Sequence, residues 1–257
     1  MHNKKYLLLI NSTVAFILAA IIAITLHETA HLIAGKMLRL DAIFYPTAVD
    51  FGKNSSVNDS VITALAGPLF SLIFGLLLIR FGRNWGKGFR RLLWLWLGYI
   101  SAQIGFGYFL IAYFAPQGDT GLVLKLLSAP AYAYVSLFLM GLFGMIWLAR
   151  MFAGQAIRYT NDANSLRQIG LFAWIVGTGI LLVIYTAASR NVPTQVVPTI
   201  LAGVGTVGIF TPMLTFFYKK LHAPYEDLKL SFPYAQLAIV AFVSTVVIGI
   251  LATGMKF

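Results

Sequence analysis

The sequence predicts an all-α polytopic membrane protein of about seven transmembrane helices, with room for a short β-hairpin after the first of them. Three observations carry this. Hydrophobic residues make up 59% of the 257, and the mean hydropathy is +0.82. Only 11% of the residues are charged, where a soluble domain carries about a quarter. Seven stretches of 19 residues or more lack any Lys, Arg, Asp, Glu or His, and a helix needs about 20 mostly apolar residues to cross a bilayer. An ordinary soluble enzyme and a disordered chain are both excluded. There is no cysteine, which rules out disulfides, thiolate chemistry and cysteine-ligated metals.

The first stretch, Tyr6–Leu26, follows Lys4 and Lys5 as a signal peptide would. Its apolar run is too long for one and no clear cleavage site follows, so it reads as an uncleaved span. The others are Val61–Ile79, Leu92–Gly118, Leu126–Ala149, Gln168–Ser189, Asn191–Tyr218 and Leu230–Met255. The third is interrupted by Gly105, Gly107, Pro116 and Gly118. A break at membrane depth has to face protein or a water-filled cavity, because lipid cannot satisfy bare backbone groups. Between the first two stretches, Ala42–Tyr45 and Ala48–Phe51 are short β-prone runs separated by Pro46-Thr47. They suit a hairpin and a plain extracytoplasmic loop equally. Trp94 and Trp96, just after Arg90 and Arg91, suit an interfacial aromatic belt. Gly203, Gly205 and Gly208 suit close helix packing.

The net charge of +11 comes from 19 basic and 8 acidic residues. In a membrane chain it reflects basic cytoplasmic loops, and no nucleic-acid partner is expected. A cytoplasmic N-terminus places 13 Lys and Arg in the cytoplasm and 6 outside (Lys36, Arg39, Lys53, Lys125, Arg190 and Lys256), so that orientation is favoured.

The first stretch runs into His27-Glu28-Thr29-Ala30-His31, an H-E-x-x-H pattern on a predicted helix. Positions i and i+4 share a helical face, so both imidazoles can reach one Zn²⁺. Glu28 sits about 100° round the helix, placed to handle an activated water rather than to ligate. The chain holds four His and two Glu, so the match is specific on composition alone. Packing histidines at an interface are the bland alternative, and ionisable groups within a span are expensive enough to count against it. A catalytic zinc uses three protein ligands and leaves one position open. The third comes from among Asp41, Asp50, Asp59, Asp119, Asp162, His222, Glu226 and Asp227. Asp119 follows the Pro116–Gly118 break and shares a membrane side with the histidines, whereas Asp162, His222, Glu226 and Asp227 fall in predicted cytoplasmic loops. An N-cap of the following helix is the competing role for Asp119. Partners to orient the imidazoles are sought among Thr25, Ser71, Gln103 and Tyr108.

Taken together, His27–His31 at the end of an apolar helix, Ala66-Gly67-Pro68-Leu69-Phe70-Ser71, and Asp119 after a Pro/Gly break resemble the site-2 protease family of intramembrane zinc metalloproteases. The resemblance covers residues 1 to about 130, a zinc-protease-like core. Residues 131–257 are further membrane helices without a chemical signature. What the resemblance implies is one Zn²⁺ held by His27, His31 and Asp119, Glu28 as catalytic base, and a membrane-embedded or membrane-proximal peptide as substrate. It also implies a multi-pass protein of a prokaryotic cell membrane. In that family a β-hairpin after the zinc helix offers an edge to the substrate. The chain departs from the family pattern in three ways. Ser71 stands where Asn is usual, Gly118-Asp119-Thr120 replaces Leu-Asp-Gly without an upstream Asn, and the charge count puts the site on the outer face. The alternatives are a lipid or lipidated-peptide hydrolase, and a transporter or metal-binding membrane protein using the same motif as a cation site.

Overall fold

A computed structural model describes residues 2–52, 55–82, 86–160, 163–188 and 225–257. It is an all-α polytopic membrane protein with one small sheet. Helix α1 (His2–Met37) is followed by β1 (Ile43–Tyr45), β2 (Ala48–Asp50), α2 (Val57–Phe81), α3 (Phe89–Ile111), α4 (Asp119–Leu126) and α5 (Ala131–Ala156). Then come α6 (Ala163–Arg167), a π-turn over Gln168–Phe172, α7 (Ala173–Ala188), α8 (Tyr234–Gly249) and β3 (Met255–Lys256). Six spans among the described residues are long and apolar enough to cross a membrane, with α6, the π-turn and α7 forming one of them. The expected stretch Asn191–Tyr218 lies outside the described residues.

Helix direction follows from contacts along α1. Trp96 of α3 meets Ser12 and Tyr108 meets His27, so α3 runs parallel to α1. Thr63 meets His31 and Ser71 meets His27, so α2 runs the opposite way. In α5, Gly141 abuts Leu110 while Phe152 packs on Trp96, which makes α5 antiparallel to α3. Ile169 sits at Ser12 and Gly177 at Phe16, so α7 runs with α1 toward the histidines. The chain therefore reaches Ala188 at the histidine end. It is next described at the other end, where Glu226 N–H donates to the Arg158 carbonyl at 2.6 Å and Asn11 Nδ2 to the Ser231 carbonyl at 2.8 Å.

Three departures from expectation have local causes. The third apolar stretch is not one broken span. Its helix ends at Ile111, residues 112–118 turn through hydrogen bonds from Phe114 and Ala115 to the Ile111 carbonyl, and α4 folds back from Asp119. Gly121 permits that fold-back, because a Cβ there would stand 2.8 Å from the Ala112 carbonyl oxygen. Trp96 is not in a surface belt. It is 1% exposed, its Nε1–H donates to Ser12 Oγ at 2.9 Å, and its ring packs 4.6 Å from Phe152 and 4.9 Å from Phe16. A buried indole needs a partner for its N–H, and Ser12 supplies it. Finally, the last apolar stretch ends in a strand. Met255–Lys256 pairs antiparallel with β1, which also pairs with β2, giving the order β2-β1-β3. The hairpin is present, in the register Ile43 to Asp50 and Tyr45 to Ala48.

Candidate metal centre

About three fully buried turns, Asn11–Ile21, precede the motif on α1, and His27, Glu28 and His31 are buried in turn. The two imidazoles meet edge to face with centroids 4.7 Å apart, and their Nε2 atoms are 3.1 Å from each other. Each outer nitrogen is tied to α2. His31 Nδ1 lies 2.6 Å from the Thr63 carbonyl oxygen and His27 Nδ1 lies 3.0 Å from Ser71 Oγ. Such partners set the tautomer and ring direction that a ligating histidine needs. A capping box of Ser56 with Asp59 starts α2 and fixes the phase in which Thr63 and Ser71 face the pair.

Helix α2 can approach this closely because residue 67 has no side chain. A Cβ on Gly67 would overlap the His31 imidazole and come within 2.7 Å of His27 Cε1. Pro68 beside it is buried within the helix. On the other side Tyr108 stacks on His27 at 5.3 Å with the rings only 5° from parallel.

Asp119 completes the cluster. Its Oδ2 is 3.1 Å from His27 Nε2 and 3.3 Å from His31 Nε2. The alternative cap role goes to Gly118, and Asp119 is the first residue of α4 with its carboxylate turned to the histidines. Among the described residues, His27, His31 and Asp119 are the one group of three able to hold a metal ion. Two imidazole nitrogens and one carboxylate oxygen are a donor set that suits zinc.

The remaining acidic groups are engaged elsewhere. Asp59 caps α2, Asp50 accepts from the Gly52 N–H, and Asp227 from the Lys229 N–H. Glu226 pairs with Arg91 and Arg158 at the opposite end of the bundle. Asp162 and His222 lie outside the described residues, and Asp41 is exposed away from the cluster. Of the four residues considered as imidazole partners, Ser71 and Tyr108 touch His27. Thr25 instead offers its carbonyl to Thr29, and Gln103 lines the adjoining cavity with its Oε1 unpartnered. Thr63 was not foreseen, because it contributes a backbone carbonyl and no side-chain signal points to it.

A cavity of about 650 Å³ opens at the cluster. Its upper wall is the hairpin, with Thr47, Val49 and Asp50 among the lining residues, and Glu28 faces it beside both histidines.

No protein-family model, curated protein or solved structure matches this chain.

Proposed function

We propose that the protein is an intramembrane zinc metalloprotease, a divergent member of the site-2 protease family, hydrolysing peptide bonds of transmembrane or membrane-proximal substrates. The observation that carries the reading is the convergence of His27 Nε2, His31 Nε2 and Asp119 Oδ2 within 3.3 Å, with Glu28 on the same cavity wall. These three side chains would hold one Zn²⁺. Bound there, zinc supplies Lewis acidity toward a scissile carbonyl and makes water easier to deprotonate.

The chain's own groups do the rest. Glu28 accepts a proton from the attacking water. The water oxygen bonds to the carbonyl carbon, the C–N bond breaks, and the proton on Glu28 passes to the departing amine. Thr63 and Ser71 keep the imidazoles aimed, and burial keeps bulk solvent away from the carboxylate. The free edge of β2 borders the cavity, and an extended peptide can add to such an edge through main-chain hydrogen bonds. Arg80, Arg91, Arg150 and Arg158 gather at the bundle end away from the site, so the basic-loop rule turns that end to the cytoplasm and the site to the outer face.

The test is a comparison of wild type with Glu28→Gln. Both should carry about one zinc per purified chain, and only the wild type should cleave a membrane-embedded peptide library reconstituted in proteoliposomes. Zinc flux into the liposomes without a cleavage product, altered by Glu28→Gln, would replace the protease reading with a transporter.

A further inference from the structure

The cavity does not stop at the histidines. It continues down the bundle between α1, α3 and α7, with Ala20 and Ile24, Ile104, and Thr178 as walls and Phe16 and Trp174 at its floor. Phe16 lies eleven residues before His27 on one continuous helix, so the slot is about 16 Å deep at 1.5 Å per residue. We propose that this slot receives the hydrocarbon tail of an acyl-bearing substrate whose amide group lies at the metal centre. The inference rests on the hydrolase reading above and narrows its substrate to membrane-proximal peptides that carry an acyl chain.

Depth is the first argument. At about 1.3 Å of advance per C–C bond, a Leu or Phe side chain entering at the histidines ends within about 5 Å, whereas twelve methylenes reach about 16 Å. Packing is the second. Interiors are filled to crystal-like density, so the space left along Ala20, Ile24, Ile104 and Leu181 is room for an apolar guest. A cavity of about 650 Å³ is the size of a small-molecule site, not of a packing fault.

The third argument is local. Gly107 is a wall residue at which an added Cβ would meet nothing within 4 Å, so the α3 backbone itself faces open space there. One helical turn below it, Gln103 is buried and its Oε1 has no partner among the described residues. A buried amide oxygen left bare is costly, and it fits a hydroxyl or other donor part-way along the tail, about 7 Å below the metal centre. An aliphatic tail with such a donor matches both features.

The full-length zinc-loaded protein in nanodiscs, titrated with straight-chain alkyl hydroxamates of 2, 6, 10, 12 and 16 carbons, provides the test. Affinity should rise about fourfold per added methylene, then level off near 12 carbons. Partition into lipid would rise without levelling. Ala20→Phe and Thr178→Phe plug the slot from opposite walls. Either should cut the ratio of 12-carbon to 2-carbon affinity at least tenfold, and the second serves if the first does not fold. Equal affinities at all lengths, or a length dependence that ignores both plugs, overturn the slot and leave the zinc site standing.

If no hydroxamate binds and no zinc is retained, the metal reading fails on its own. The slot is then tested without metal by a 12-carbon fatty acid bearing a terminal diazirine. Labelling of 16–24 or 174–182 that both plugs abolish would sustain the slot, and labelling that ignores the plugs, or none, would overturn it.

Discussion

The Nε2 atoms of His27 and His31 stand 3.1 Å apart. Two nitrogens held 2.0–2.1 Å from a tetrahedral zinc are separated by about 3.3 Å, so the rings already sit close to ligating geometry. The His31 tautomer agrees with it. A carbonyl oxygen only accepts, so His31 Nδ1 must carry the hydrogen it gives to Thr63, and the neutral ring then has a bare Nε2 lone pair. Asp119 is pure acceptor when ionised. A metal ion would satisfy all three converging atoms at once, whereas a proton on Nε2 would satisfy one pair of them.

Removing any of the three should expel that cation. Asp119→Ala and His31→Ala are each expected to weaken zinc binding more than 100-fold, beyond the 10–100-fold typical of outer partners. Competition against a chromophoric chelator measures it. Tight zinc binding by Asp119→Ala would show that the carboxylate only pairs with the histidines.

Ser71→Ala removes the group at His27 Nδ1 and leaves the ligand atoms in place. Zinc affinity should fall about 10–100-fold, less than for loss of a ligand. Ser71→Thr, which keeps a hydroxyl, should restore much of it. A methyl-bearing hydroxyl that rescues nothing would mean that Ser71 acts by its size.

Gly67→Ala separates two opposed effects. Alanine favours the helix by about 1 kcal/mol over glycine, so the secondary structure should not suffer. The new methyl would occupy the space of the His31 ring. Circular dichroism unchanged together with zinc affinity lowered at least 100-fold is the expected pair of results. Zinc binding at wild-type strength would show that α2 can step back from α1.

Much of this site is legible in the sequence because its parts carry strong local signals. His27 and His31 share one turn-to-turn register, and Asp119 directly follows the Pro116-Gln117-Gly118 turn signal. Thr63 stays invisible since any residue has a carbonyl. Trp96 reads as interfacial from its distance to Arg91, and only the three-dimensional neighbour Ser12 explains its burial. β3 is two residues long, too short for any alternation, and its partner lies over 200 residues earlier. The helix ends at Ile111, and the turn over 112–118 that follows carries no charge, so a hydropathy count runs straight through it.

At the opposite end, Glu226 Oε1 and Oε2 accept from Arg158 and Arg91 at 3.0 and 3.2 Å, and Arg91 also donates to the Tyr159 hydroxyl. The carboxylate is 40% exposed, so solvent screens the pair and its loss is worth only about 1 kcal/mol. Glu226→Gln keeps the shape and removes the charge. A Tm lower by about 2–4 °C is expected, with zinc content unchanged, because the cluster lies at the far end of the bundle from the metal centre. A drop in zinc content would show that the two ends are coupled.

The third strand offers a separate handle on the hairpin. Gly254 has φ +78°, and a Cβ on it would stand 2.8 Å from Tyr45 Cε1 and 2.9 Å from Ile43 Cγ2. Gly254→Ala therefore adds backbone strain of about 1 kcal/mol to a clash with β1. Strand β3 should detach from β1 more often, breaking the paired hydrogen bonds between Ala42 and Phe257. Backbone strain of about 1 kcal/mol alone raises the open population roughly fivefold, so hydrogen exchange at Ala42 and Phe257 should quicken by at least that factor. The hairpin pair of Tyr45 with Ala48 lies outside the register of β1 with β3, and its amides should quicken less. Equal acceleration across both strand pairs would mean that the sheet opens as one unit and that β3 holds up the cavity wall formed by β2.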